Sequence, residues 1–407
     1  MATGKRYQTG LVVLFFFTWG SVFLARMSVL YLVPFIVPEL HLSHEQVGLL
    51  ASALALAWAA SGLIFGAISD RIGRRPVLIP AVFLFSLLSW LSGLARSFVE
   101  LLFVRTLMGV AEGPTFPTMT SMIEATSEPK NRGRDIGIVV SAGALVGLAL
   151  APVLTTQIAA RFGWRAAFFV TGIPGMILGL LIWKFVKEPG EAESATLHHA
   201  KPSIKDYLSL LRYRNMWLCC LGAVGFMTWL FVMHVFAPLY LTEVSRQSAT
   251  QAGFIIGAGG LGAFMWGWIF PWISDRAGRR PTLTFVALVS ATAPLTYQAA
   301  FLTAHPWLMA GAGFLVNGGQ GIAPLVLVLV PTESVPAKFA ATAIGLATLV
   351  GEIVGGAMAP AVAGAAANRY GLAAPLWIAS AGALLVLFAS LFMIETAPSK
   401  KDKRGNA

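Results

Sequence analysis

The chain has 407 residues, of which 57% are hydrophobic and only 12% charged. A soluble domain carries roughly 25% charged residues, so this composition excludes an ordinary soluble protein. A net charge of +11 invites a nucleic-acid reading, but the positive charges fall in short segments between long apolar runs, which is the pattern of membrane topology. Two cysteines, Cys219 and Cys220, sit side by side inside an apolar run and exclude a disulfide framework.

A membrane-crossing helix needs about 20 apolar residues. In chain order the sequence predicts twelve, near 9–38, 45–69, 76–95, 99–124, 135–161, 166–187, 214–241, 250–273, 282–302, 306–331, 338–366 and 372–395. The first, preceded by Lys5 and Arg6, is too long for a signal-peptide core and reads as an uncleaved span. The domain reading is an N-terminal six-helix half at 1–187, a polar central loop at 188–213, a C-terminal six-helix half at 214–396 and a basic tail at 397–407. Of the 29 basic residues, Arg96, Arg161, Arg165, Arg246 and Arg369 lie on one side, Arg26 and Arg105 lie inside spans, and the rest lie on the other side. Positive residues mark the cytoplasmic side. Both termini and the central loop are therefore expected in the cytoplasm, with the chain in the cell (inner) membrane.

The halves repeat. "SDRIGRRPVL" at 69–78 returns as "SDRAGRRPTL" at 274–283, "IEATSEP" after the fourth span has its counterpart in "PTESVP" after the tenth, and an Ile-Gly with a later Ala-Pro recurs at 136–152 and 344–360. Offsets of 205 to 209 residues indicate a duplicated six-helix unit, as in many secondary transporters.

These features make the chain resemble the major facilitator superfamily, and the most specific of them is the loop from Gly66 to Arg75 with its second copy from Asp275 to Arg280. The finer resemblance is to the anion:cation symporter branch, which carries organic anions such as sugar acids. That branch has Tyr-x-Asp-Arg in its first span, where this chain reads Phe23-Leu24-Ala25-Arg26; the arginine is kept and the aspartate is absent. Its fourth-span pattern is matched by Arg105, Gly109, Glu112, Phe116 and Pro117, and its frequent site tyrosine is replaced by Trp58. The resemblance implies an all-α fold of twelve transmembrane helices and a proton-coupled symporter of a small organic carboxylate. A proton-coupled drug or cation antiporter and an organophosphate/phosphate exchanger are the alternative readings.

Residue by residue, Arg26 is the candidate anion ligand, because a guanidinium forks onto a carboxylate and an intramembrane charge is functional by default. Arg105 and Glu112 share a face of the fourth span; Arg105 either binds substrate or braces backbone, and Glu112 is the candidate proton carrier. Glu352, in the eleventh span, is a second candidate for coupling. His234 lies about one turn from the position repeat-related to Arg26, and it joins Trp58, Arg105, Asn317 and Gln320 among candidate substrate contacts. Helix packing is the competing role for His234, Asn317 and Gln320. Asp70, Arg71, Arg74 and Arg75, with Glu124, and Asp275, Arg276, Arg279 and Arg280, with Glu333, are expected to form a cytoplasmic conformational latch. No metal-ligand cluster, phosphate-binding loop or nucleophile motif appears, so the reading includes no enzyme, no cofactor and no metal. The expected partners are the organic anion, protons and the lipid bilayer, with no nucleic acid, for a monomer.

Overall fold

The computed structural model describes residues 2–128, 131–188, 209–336 and 339–397. Most of the predicted central loop and nearly all of the basic tail lie outside these residues. So does the side chain of Asp70. The described chain is helical, without a strand, and falls into two compact units. One holds residues 1–42 and 53–200; the other holds 43–52 and 201–407. The start of the second helix thus groups with the later unit, a detail outside the predicted boundary at 187.

In the first unit the helices are α1 (Ala2–Leu40), α2 (His44–Ile72, from residue 53), α3 (Arg75–Leu94), α4 (Phe98–Glu112), α5 (Thr115–Thr126), α6 (Arg132–Ala142), α7 (Ala151–Phe162) and α8 (Trp164–Phe185). Helix α1 is buried around most of its girth. Phe15, Trp19, Val22 and Ala25 join Leu78, Val82 and Phe85 of α3, Met108 and Ala111 of α4, and Met119, Met122 and Ile123 of α5 in one core. A helix apolar all round belongs in such an interior. Lipid tails are as apolar as leucine, so helix association rests on close packing. Gly109 and Gly113 supply it: a Cβ there would stand 2.4 Å from the Leu54 carbonyl oxygen and 2.6 Å from that of Trp58 on α2.

The second unit contains α9 (Arg214–Leu239), α10 (Ala249–Ala277), α11 (Arg279–Thr296), the short α12 (Ala300–Thr303), α13 (Pro306–Val316), α14 (Val330–Ser334), α15 (Ala340–Val350), α16 (Ala359–Tyr370) and α17 (Ala373–Phe392). Among the described residues ten helices are long and apolar enough to cross a membrane. The two other predicted spans differ from uninterrupted helices for local reasons. The fourth divides at Gly113–Pro114 between α4 and α5, and the ninth is an 18-residue helix beginning Arg-Arg-Pro followed by four-residue α12.

Among the described residues, four stretches are wider, π-helical turns. Two of them, Gly143–Leu150 between α6 and α7 and Gly351–Met358 between α15 and α16, are eight residues long and start 208 residues apart. Each runs into an Ala-Pro pair, whose proline lacks the N–H for the next helical bond. The chain answers by widening: Ala151 N–H bonds the Val146 carbonyl and Ala359 N–H bonds that of Val354, five residues back in both cases.

Candidate functional site

The first unit builds a charged centre where α1, α2 and α4 meet. Arg26 lies in the buried middle of α1, only 4% exposed, with its Cζ 5.1 Å from the Trp58 ring centroid. A desolvated guanidinium over an indole face is an attractive pair. Arg105 is still more buried, and its guanidinium is turned onto α1 itself. Its Nη2 donates to the Arg26 carbonyl at 2.6 Å, and its Nη1 donates to the Ala25 carbonyl at 3.3 Å and to Met108 Sδ at 2.9 Å. Of the two roles open to it from sequence, these contacts are those of a brace that holds the backbone of Arg26.

Glu112 closes α4 and is fully buried, within electrostatic reach of Arg26 and Arg105. Neither of its carboxylate oxygens has a hydrogen-bond partner among the described residues. Two guanidinium groups around one carboxyl leave the centre with an excess positive charge when Glu112 is ionised. Burying uncompensated charge is expensive. The wall beside it is aromatic: Trp19 lies 5.0 Å from both Phe23 and Phe116, measured between ring centroids. Tyr31, which sequence reasoning missed, ties α1 to the first π-helical stretch by donating to the Gly147 carbonyl.

In the second unit His234 is buried on α9, and its Nδ1 donates to the Leu230 carbonyl at 2.7 Å. Glu352 is buried at the second residue of its π-helical stretch. A Cβ on Gly356 would stand 2.6 Å from Glu352 Oε2, so the glycine makes room for the carboxylate. Asn317 and Gln320 do not sit on one continuous helix as their spacing suggested. Helix α13 stops at Val316, Asn317 adopts φ −77° and ψ 49°, and Gly318–Gly321 form a single tight 3₁₀ turn. The glycines are the cause: a Cβ on Gly319 would stand 2.2 Å from the Trp229 ring, and one on Gly321 2.6 Å from the Phe270 ring.

The repeated loops carry a second pair of arrangements. Arg279 reaches Asp275 at 2.6 Å and Glu333 at 2.8 Å, and Thr396 donates to the same glutamate. Burial works against the charge of Arg279, yet these acids outweigh it and hold its pKa above the ordinary value. In the other unit Arg74 donates from Nε to Ser121, Arg71 is exposed and Glu124 half-buried. Arg276 lies over Trp272. Two acids missed from sequence complete the pattern. Glu188 accepts from the backbone N–H groups of Arg74 and Arg75, both at 2.7 Å, and Glu395 accepts from those of Arg279 and Arg280. Arg75 and Arg280 return a bond to the Trp183 and Leu391 carbonyls. The signal was available as the acids ending the sixth and twelfth spans. Gly73 and Gly278, at φ +101° and +109°, are needed both for that backbone and because a Cβ would meet those carboxylates.

Comparison with known proteins gives the same frame. The model for the Major Facilitator Superfamily matches residues 14–360. The chain is 30% identical over 334 residues to the "Probable 4-methylmuconolactone transporter" of Cupriavidus pinatubonensis, covering 80% of this chain and 76% of that one. It is 31% identical over 284 residues to the "Hexuronate transporter" of Bacillus subtilis, covering 67% of each. A solved bacterial homologue of the human lysosomal transporter Spinster superposes with a TM-score of 0.73 at 19% identity, over 95% of this chain and 96% of that one. The chain belongs to the Major Facilitator Superfamily, as a multi-pass membrane transporter of the anion:cation symporter type and not an enzyme.

Proposed function

We propose that the protein carries a small organic carboxylate together with protons, by alternating access of two six-helix halves in the cell membrane, with twelve spans and both termini cytoplasmic. The observation that carries the reading is the centre of the first unit: Arg26 stacked on Trp58, its backbone held by Arg105, beside a buried Glu112 whose oxygens have no hydrogen-bond donor among the described residues. The names of the two relatives, a muconolactone and a hexuronate transporter, point to the same class of cargo.

Arg26 takes the carboxylate, in a bidentate fork that an ammonium group cannot make. The anion then occupies the positive charge that otherwise favours ionised Glu112, so anion and proton bind as a pair. Glu352 is the second candidate for the proton, and Trp58 lines the anion site. The arginine–acid clusters at Asp70 and Asp275 act as the latch that biases one conformational state over another. A cation exporter would favour unpaired acids in its cavity over a central arginine, so Arg26 supports symport over the exporter reading.

The test is uptake into proteoliposomes. An inward proton gradient should drive accumulation of a carboxylate found by thermal-shift screening, with alkalinisation outside. Arg26→Ala should abolish binding of that acid. Normal affinity in this variant removes the central claim, and accumulation indifferent to the gradient removes the coupling.

A further inference from the structure

The joint at the start of α3 is built again at the start of α11, and the two copies differ in one respect. In the first unit Glu188 accepts from the Arg74 and Arg75 N–H groups, Arg75 Nη2 donates to the Trp183 carbonyl, and the Lys187 N–H donates to the Tyr7 hydroxyl at 2.9 Å. In the second, Glu395 accepts from the N–H groups of Arg279 and Arg280, and Arg280 Nη2 donates to the Leu391 carbonyl. There the Ile394 N–H donates to Asn215 Oδ1 at 2.8 Å. The bonds match, but the side chains at the end of the last helix do not. Helix α8 runs out through Trp183-Lys184-Phe185-Val186-Lys187, and α17 through Leu391-Phe392-Met393-Ile394, with no cation. The second joint forms without a lysine, so Lys184 and Lys187 serve something other than the joint.

Their position says what. Helices α3 and α8 run antiparallel and close together: a Cβ on Gly93 would stand 3.0 Å from the Arg165 carbonyl oxygen, and one on Gly179 3.0 Å from the Phe83 ring. The outward side of the pair is apolar, with Leu84, Leu87 and Leu91 exposed on α3 and Ile173, Ile177 and Leu180 exposed on α8. An exposed apolar face of this kind on a spanning helix is a face for acyl chains. Along α8 the stripe keeps helical spacing, and its next member is Lys184. Lys184 and Lys187 are exposed, and among the described residues neither pairs with an acid. The Arg75 side chain spends a donor on a neutral carbonyl and pairs with no acid there either. Against these three cations, with exposed Arg71 close by in the chain, stands Glu188, each of whose oxygens is already taken by a backbone N–H; the Asp70 side chain lies outside the described residues. Trp183, 61% exposed, flanks the lysines, and such rings gather at headgroup level. Positive charge at a span end also sets orientation, but orientation does not ask that the charge terminate an acyl-chain stripe.

We propose that the α3–α8 face of the first unit binds an anionic phospholipid, its phosphodiester held by Arg75, Lys184 and Lys187 and its acyl chains laid along the leucine and isoleucine stripes. The guanidinium and the two ammonium groups donate charge-assisted hydrogen bonds to the phosphate oxygens. Basic clusters at a span end attract anionic lipid, and the apolar groove leading away from this one turns a diffuse attraction into a site. The α11–α17 face, with the same joint and no lysine, does not share it.

The test is tryptophan quenching in full-length protein reconstituted into phosphatidylcholine vesicles that carry a minor fraction of lipid brominated in its acyl chains. The tracer is either phosphatidylglycerol, which is anionic, or phosphatidylcholine, which is not. The part of the quenching that belongs to Trp183 is the difference between wild type and Trp183→Phe. That part should report local enrichment of the anionic tracer by about fivefold or more, since each cation near an anionic headgroup is worth about that factor. Lys184→Gln combined with Lys187→Gln should bring the two tracers to within about twofold of each other. Lys184→Arg combined with Lys187→Arg keeps the charges and should keep the enrichment. Millimolar glycerol phosphate, which has the headgroup's phosphate without the chains, should leave the enrichment in place at matched ionic strength. Equal quenching of Trp183 by the two tracers in the wild type, or an enrichment that survives the glutamine pair, overturns the proposal. Loss of the enrichment on adding glycerol phosphate overturns it too, in favour of a soluble phosphate as the ligand.

Discussion

At the scale of single residues, the site is legible from the cost of burying charge. Arg26 and Glu112 stand out in the sequence because a charge inside an apolar span needs a reason. The partners that give it one are not visible there. Nothing in the spacing of Arg105 says that its guanidinium turns onto the Ala25 and Arg26 carbonyls, since that depends on how α4 crosses α1. Glu112→Gln separates coupling from binding. Glutamine imitates the protonated carboxyl, so the loaded carrier should still exchange internal for external substrate. Accumulation driven by a pH gradient should fail, because the proton can be neither released nor rebound. Losing one proton per cycle also removes the transfer of one charge, worth about 2.3 kcal/mol per 100 mV. Counterflow and gradient-driven uptake measured side by side, with Glu352→Gln in parallel, check this. If accumulation survives in the first variant and fails in the second, the proton belongs to Glu352.

At the scale of helices, the spans were readable because about 20 apolar residues announce themselves, while their interruptions were not. The Gly-Pro at 113–114 is readable as a mark of close packing or bending, whereas the break at 317–321 is not. Whether a glycine merely packs or ends a helix is decided by the ring that lies on it, as Trp229 lies on Gly319. The π-helical stretches escaped for a similar reason, because a proline states that a bond is missing but not how the turn before it adjusts. Close approach does discriminate among glycines. Gly113→Ala would force a methyl to within 2.6 Å of the Trp58 carbonyl oxygen on α2. An overpacked contact of this kind costs about 1–3 kcal/mol, so the variant should lose thermal stability. Gly137→Ala on α6 meets nothing within 4 Å, and replaces a poor helix former by the best one. It should be neutral or slightly stabilising. Thermal unfolding in the same detergent compares the two, and equal shifts would show that the α2–α4 approach is not the tight contact described.

At the scale of the whole molecule, the duplication was legible as repeated loops, and its physical meaning lies in what each loop caps. Helices α3 and α11 both begin Arg-Arg-Pro or Arg-Pro after a left-handed glycine, and both present backbone N–H groups that a glutamate accepts. A carboxylate at a helix N-terminus also answers the positive end of the helix dipole, worth about 0.3–1 kcal/mol where exposed. The arginine side chains tie the same helices to the ends of α8 and α17. Each unit therefore carries its own charged clasp, between the start of its third span and the end of its sixth. Such a clasp biases the carrier only if its bonds differ between conformational states. Glu188→Gln and Glu395→Gln keep an acceptor oxygen but remove the charge. Each should leave the affinity for the transported acid within about threefold, since Glu188 and Glu395 bond the starts of α3 and α11 and not Arg26 or Glu112. Each should change the rate of counterflow, and the double variant should change it more than either single one. Calorimetry for affinity and initial rates in proteoliposomes distinguish the two effects. Unaltered rates in the double variant would reduce the clasps to fold stabilisation and topology, and a collapse of affinity with normal cycling would place the glutamates in the substrate site.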